Sequence, residues 1–318
     1  MLIPILYILA AIVVLYFGAD MTLEAAEKVG KKLGFSPLVI GMLLVGFGTS
    51  LPEFFVGHIA AAKGESGIAM GSLLGSNIAN MFLILGICGI FSKLSVQGKS
   101  LREHLFIHLG LGLILIWVLN QPELNLFTSS PLIVLLFIYL YFIYKDMQRE
   151  KLKKESAILV VDPNAPKDKT NTPLLVFKMN IGFVMLYVGG ELLVKGGTEL
   201  GVQAGIDSYI ISSIFIAFGT SFPELVTGLM AALKKKDTDI IIGNIVGSNL
   251  FNCAFILGSL GIYEFKIVQT FNFELTALIS GALVFILLSF IKRDLYRLTS
   301  IIFLMTYGTM VAHWLKII

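Results

Sequence analysis

Long apolar runs separated by short polar joints dominate this chain. The runs lie near residues 2–19, 37–62, 68–91, 104–120, 130–145, 174–195, 208–233, 239–263, 273–291 and 298–315. Several reach the ~20 residues that a helix needs to cross a bilayer. The pattern therefore predicts ten membrane spans. Local signals mark the joints. Ser36 stands as an N-cap before Pro37, a first-turn proline. Asp207 is placed to cap the seventh span, and Pro122 and the Ser130-Pro131 pair punctuate the fourth and fifth. Residues 146–173, rich in Lys, Glu, Asp and Pro, form the single long connection and read as a solvated linker.

Composition agrees with the pattern. Hydrophobic residues make up 56% of the 318 residues and charged ones only 14%, against about 25% charged in ordinary soluble domains. The run from Leu2 to Gly18 lacks a basic start, so it is expected to stay as a span and not to be cleaved as a signal peptide. Cys88 and Cys253 stand alone in apolar segments, with no metal-binding spacing and no disulfide framework. The distribution of basic residues sets the orientation. With the N-terminus outside, twenty of the 24 Lys and Arg residues fall on inner connections. The expectation is a multi-pass protein of the cell (inner) membrane with both termini outside and the long loop cytoplasmic. The basic loop reads as membrane-flanking and not as a nucleic-acid surface.

One stretch breaks the apolar monotony. Gly48-Thr49-Ser50-Leu51-Pro52-Glu53 returns as Gly219-Thr220-Ser221-Phe222-Pro223-Glu224, 171 residues later. Gly34 and Gly205 share that offset; after a short tip it becomes 172, pairing Ser76 with Ser248 and Asn80 with Asn252. The chain therefore reads as an all-α polytopic membrane protein of ten transmembrane helices in two five-helix repeats. The first is residues 1–146, the linker 147–173, the second 174–318. Five is odd, so the repeats enter the membrane in opposite directions. Inverted repeats mark secondary transporters, whose ion sites lie where broken helices from the two halves meet.

The motif has the chemistry for such a site. Pro52 and Pro223 carry no N–H and crowd the carbonyls of Gly48 and Gly219, so each breaks its helix. Thr49, Ser50 and Glu53 share one helix face, as do Thr220, Ser221 and Glu224. Together they offer two carboxylates, four hydroxyls and loosened carbonyls: hard oxygen donors with a charge of −2. Such a set suits Ca²⁺ or Na⁺, and not zinc. Ser76 and Asn80, opposite Ser248 and Asn252, add neutral oxygens. Gly71 and Gly75, and likewise Gly243 and Gly247, have the spacing that lets helices pack closely. Asp20 and Glu191 form a further acidic pair, expected to hold the outer layer together near the outer ends of spans one and six. His104 and His108 read as interfacial anchors of the fourth span. No nucleophile–base pair accompanies the serines, so no enzyme activity is expected.

The segments GFGTSLPEFFVG with GSLLGSNIAN, and AFGTSFPELVTG with GNIVGSNLFN, resemble the two α-repeats of the calcium/cation antiporter superfamily, closest to its sodium/calcium exchanger branch. The resemblance covers the whole chain. The loop is too short for the large regulatory domain of animal exchangers, so the chain resembles a prokaryotic member. The resemblance implies an antiporter that exchanges Na⁺ for Ca²⁺ by alternating access. It implies acidic centres at Glu53 and Glu224, hydroxyl ligands at Thr49, Ser50, Thr220 and Ser221, and carbonyl ligands at Gly46 and Ala217. Spans three and eight would contribute Ser76, Asn80 and Ser248. Many exchangers carry Asp where this chain has Asn252, so three-for-one exchange is less secure here. A proton-coupled or other cation/Ca²⁺ exchanger is the alternative, and a cation channel a more distant one. The expected partners are Ca²⁺ and Na⁺ as transported ions and the lipid bilayer, with no cofactor and no nucleic acid. A monomer is a workable transport unit.

Overall fold

The computed structural model describes residues 2–157, 171–205, 219–267 and 270–315. Helix α1 (Leu2–Leu33) ends at Gly34, where φ is +83° and the Phe35 N–H donates to the Gly30 carbonyl at 2.8 Å. That left-handed turn is one glycine takes without strain. Helices α2 (Pro37–Thr49) and α3 (Leu51–Ala62) meet at Ser50 with a bend of 42°. The Ser36 hydroxyl caps α2 by accepting from Val39 N–H at 3.3 Å. Then follow α4 (Ser66–Phe91), α5 (Lys99–Leu119), β1 (Glu123–Leu124) and α6 (Leu126–Ala157). The second half holds α7 (Thr172–Gln203), α8 (Phe222–Leu233), α9 (Thr238–Tyr263), β2 (Phe265–Lys266), α10 (Asn272–Phe290) and α11 (Arg297–Trp314).

Seven of these helices are long and apolar enough to cross a membrane, and eight if α2 and α3 count as one. Large apolar side chains such as Phe17, Phe127, Phe177 and Leu287 stand exposed along them, as lipid-facing surfaces do. The protein is a multi-pass membrane protein. Asp207 and the first half of the predicted seventh span lie outside the described residues.

Burial orders the helices into a core and a flank. In the most apolar stretch of α9, 94% of residues are buried, and in that of α4, 83%, against 28% for α1 and α7. The α2–α9 contact is made backbone to backbone. A Cβ on Gly46 would lie 2.9 Å from the Asn244 carbonyl oxygen, and one on Gly247 only 2.7 Å from Met42 Cα. Gly243 likewise abuts Met42. The other predicted pair differs: among the described residues, a Cβ on Gly71 or Gly75 meets nothing within 4 Å.

Two short pairings tie the halves together. β1 pairs antiparallel with β2, Leu124 opposite Phe265, and Leu94 pairs antiparallel with Leu295. Leu94 and Phe265 are 171 residues apart, as are Leu124 and Leu295, so one pairing is the repeat of the other. They are the departure from an all-helical chain among the described residues.

Three expectations need correction. The expected linker starts as helix: α6 runs on to Ala157, because Asp146 within it is buried against the first half and not solvated. His104 and His108 are not interfacial anchors. Both are buried, with His104 Nε2 2.9 Å from Asp146 Oδ2. Asp20 does not belong to the outer layer. It pairs with Lys234, beside Lys235 and Lys236 on the connection assigned to the inner side, while Glu27 pairs with Lys236 at 2.6 Å.

The flanking pair α1–α7 is also packed through glycines. A Cβ on Gly18 would stand 2.9 Å from Met185 Cβ, one on Gly189 2.7 Å from Leu15 Cγ, and one on Gly196 2.8 Å from the Pro4 carbonyl oxygen. At Gly182 the added atom would lie 2.9 Å from both the Gly18 carbonyl oxygen and the Thr22 nitrogen. These obstacles are backbone, which cannot rotate aside. Gly182→Ala is therefore expected to destabilise the protein by about 1–3 kcal/mol, seen as a lower melting temperature in detergent; an unchanged melting temperature would refute the tight contact.

Candidate cation site

The two copies of the motif break their helices alike. Ser50 has φ −82° and ψ 2°, and Ser221 has φ −87° and ψ 1°. Each is followed by a helix with its proline in the first turn, where the missing N–H is harmless. Glu53 and Glu224 also sit in those first turns, where the positive end of the helix favours a carboxylate. Gly48 is required at the first break because the Phe183 ring of α7 occupies the space a Cβ would take.

Both glutamates are fully buried, and close enough for their charges to repel. Glu53 Oε1 accepts from Ser76 Oγ at 2.9 Å, and the Thr220 hydroxyl lies beside the same carboxylate. Glu224 faces the hydroxyls of Thr49 and Ser248 without closing a bond of ordinary length. The arrangement is crossed: each carboxylate meets a serine from its own half and a threonine from the other. Thr49 Oγ1 donates back to the Val45 carbonyl at 3.1 Å and lies 3.3 Å from Asn244 Oδ1. Ser248 Oγ donates to the Gly46 carbonyl at 3.1 Å, and Ser221 Oγ to Ser76 Oγ at 3.0 Å.

Of the twelve expected ligands, eleven are described and gather here, and Ala217 lies outside the described residues. Among them, six oxygens have no hydrogen-bond partner: Ser50 Oγ, Glu53 Oε2, Asn80 Oδ1, both carboxylate oxygens of Glu224, and Asn252 Oδ1. Buried polar atoms are otherwise nearly always paired. An oxygen-only set with two carboxylates fits a hard cation such as Ca²⁺, which takes 6–8 oxygens. No cluster of three or more His, Cys, Asp or Glu residues fit to hold a metal occurs among the described residues.

Two asparagines missed in the sequence hold this set in place. Asn77 Oδ1 accepts from Asn252 Nδ2 at 3.1 Å, and Asn249 Oδ1 accepts from Asn80 Nδ2 at 3.0 Å. Each thereby binds the nitrogen end of the outer amide and leaves its oxygen end free. Asn77 Nδ2 donates to the Asn249 carbonyl at 3.1 Å, and Asn249 Nδ2 to the Asn77 carbonyl at 3.3 Å, so α4 and α9 are cross-linked reciprocally. The signal was available: Asn77 and Asn249 repeat at the same 172-residue offset as the serines before them. Asn80 and Asn252 also lie in widened, π-type turns, Ala79–Ile84 and Phe251–Leu257. Such turns recur at functional sites.

Comparison with known proteins places the chain in a family. The model of the sodium/calcium exchanger protein family matches residues 3–145 and 175–316. The chain belongs to that family. Over 259 residues it is 31% identical to the inner membrane protein YrbG of Escherichia coli, covering 81% of this chain and 79% of the relative. It is 26% identical over 335 residues to the sodium/calcium exchanger MaX1 of Methanosarcina acetivorans, covering 95% of each. The sodium-calcium exchanger NCX_Mj, solved after soaking in 2.5 mM Na⁺ and 0.1 mM Ca²⁺, superposes with a TM-score of 0.80 at 25% identity, over 97% of both chains.

In this family member, Asn77→Ala would leave Asn252 Nδ2 and the Asn249 carbonyl short of buried partners. The expected loss is about 1–3 kcal/mol of stability, together with weaker Ca²⁺ binding by the purified protein. A melting curve and a Ca²⁺ titration matching those of the unaltered chain would contradict the assignment.

Proposed function

We propose that the protein is a secondary active antiporter that exchanges Na⁺ for Ca²⁺ by alternating access. The observation that carries this reading is the group of six unpaired oxygens around two buried glutamates. Uncompensated, such carboxylates are too costly to keep charged in an apolar interior. A cation repays that cost, and cations of either kind compete for the same oxygens. Occupancy by one then excludes the other, which couples the two fluxes. The family, and the similar sodium/calcium exchangers MaX1 and NCX_Mj, support Na⁺ and Ca²⁺ as the pair.

The ligands in this reading are Glu53, Glu224, Thr49, Ser50, Thr220, Ser221, Ser76, Asn80, Ser248 and Asn252, with the carbonyls of Gly46 and Ala217. Ten spans in two inverted halves carry them, with both termini outside and the loop after α6 in the cytoplasm. Motion is assigned to α1 and α7. A cavity of about 320 Å³ supports this, since it reaches Thr49 and Pro52 from between residues Asn180, Phe183 and Tyr187 of α7. A shift of α7 opens or closes that approach to the motif.

The protein reconstituted in Na⁺-loaded vesicles is expected to take up Ca²⁺ when the Na⁺ gradient is imposed, and Glu53→Gln or Glu224→Gln to reduce uptake to background. With −2 at the site, one Ca²⁺ or two Na⁺ balance the charge, so uptake is expected to ignore an imposed voltage. Uptake that follows a pH gradient without Na⁺ would instead establish proton coupling, and full transport in both glutamine variants would remove the glutamates from the site. The topology is tested separately. In intact cells, Lys63→Cys is expected to react with an impermeant thiol reagent and Lys235→Cys to be protected; labelling of both from one side would overturn the inverted arrangement.

A further inference from the structure

The repeat symmetry of the site fails one layer out. Asn77 and Asn249 do matching work, yet the remaining contact of each amide nitrogen differs. Asn77 Nδ2 meets Cys253 Sγ at 2.9 Å. Asn249 Nδ2 meets His108 Nε2 of α5 at 3.3 Å. His108 comes from a helix that carries no residue of the cation site, and it is buried with 3% of its surface exposed.

The chemistry of this chain of contacts fixes each orientation in turn. The Asn77 carbonyl oxygen only accepts, so the Asn249 group facing it is its NH₂. Asn249 Oδ1 then faces Asn80 Nδ2, which leaves Asn80 Oδ1 buried and unpartnered among the described residues. The Asn249 NH₂ has a second hydrogen to place, and His108 Nε2 stands there. That nitrogen must accept, so the ring hydrogen is on Nδ1. Without the acceptor, a buried N–H is left unpaired and the Asn249 amide loses one of the three contacts that hold it against Asn80.

We infer that His108 is a positioning residue for the cation site: its Nε2 holds the Asn249 amide, which aims the Asn80 oxygen at the bound cation. The inference rests on the reading of Asn80 as a ligand given above. Its reach is Ca²⁺ affinity through one neutral oxygen. His104, one turn earlier on α5, is engaged elsewhere, with Asp146 of α6.

The test is equilibrium Ca²⁺ binding by the detergent-purified full chain, titrated with CaCl₂, with melting temperature recorded in parallel. His108→Leu removes the acceptor and is expected to weaken Ca²⁺ binding about tenfold, within the range for residues that orient a ligand from behind. Asn80→Ala is expected to weaken it by a similar factor. In the double variant the two losses do not add, because both act through the same oxygen. His108→Gln places an amide oxygen where Nε2 stands and is expected to restore wild-type affinity. His108→Phe serves as the second acceptor-free variant if the leucine chain does not fold. A role confined to packing would not be rescued by glutamine, nor would its effect vanish in the Asn80→Ala background. Unchanged affinity in the acceptor-free variants, additive losses, or failure of glutamine to rescue each overturns the inference while leaving the cation site standing. A wild-type chain that binds no Ca²⁺, or Asn80→Ala with full affinity, instead overturns the ligand reading, and the inference with it.

Discussion

Among the described residues, three of the four carboxylate oxygens on Glu53 and Glu224 have no hydrogen-bond partner, and both residues are fully buried. In a medium of low dielectric the idealised transfer of one such ion from water is of order 20 kcal/mol. Most of the structure answers that one problem. The proline breaks put each carboxylate at a helix start. Hydroxyls from both halves face the pair. Asn80 and Asn252 spend their amide nitrogens on Asn249, Asn77 and Ser76, and their oxygens stay unpartnered among the described residues. A second layer of amides, Asn77 and Asn249, enforces that choice. The result is a buried group of oxygen donors that suits a hard cation.

The same arrangement explains how much was legible beforehand. Glu53 and Glu224 were readable because a carboxylate beside a proline in an apolar run is a chemical exception, and it occurs twice. The fixed offset then led to Ser76, Asn80, Ser248 and Asn252. Asn77 and Asn249 carry the same offset but were passed over. They make no ligand of their own, and spacing along a helix does not reveal which amide holds which. His104 and His108 were misread for a related reason. Four residues apart near a span end, they look like anchors. Their partners, Asp146 and Asn249, lie 42 and 141 residues away. Asp146 itself was given to the loop because charge density rises there, although α6 continues past it to Ala157. Local composition marks where polarity begins, not where a helix ends.

Backbone proximity is the other organising element. Gly46 and Gly247 bring α2 and α9 together so that Ser248 reaches the Gly46 carbonyl. Gly18, Gly182, Gly189 and Gly196 do the same for α1 and α7. The two contacts differ in what accompanies them. The first is stitched by buried polar bonds around the site. The second sets glycines against Leu15, Met185 and the Pro4 carbonyl. Its polar ties to the core include Asp20 to Lys234 and Glu27 to Lys236, part-exposed pairs of the sort that contribute little.

The small pairings of Leu124 with Phe265 and Leu94 with Leu295 have a mechanical meaning. Each joins a connection in one half to a connection in the other, and the pair stands at symmetric positions in the repeat. They act as clasps that close a frame of α4 to α6 and α9 to α11. A frame latched at two corners resists shear and does not spread. Compliance is left to the elements outside it. Of these, α1 and α7 pack on each other through their glycines, and α1 is tied to the connection after α8 by the part-exposed pairs Asp20–Lys234 and Glu27–Lys236. On the reading proposed above, a molecule built this way deforms by displacing its α1–α7 flank past a stiffer frame.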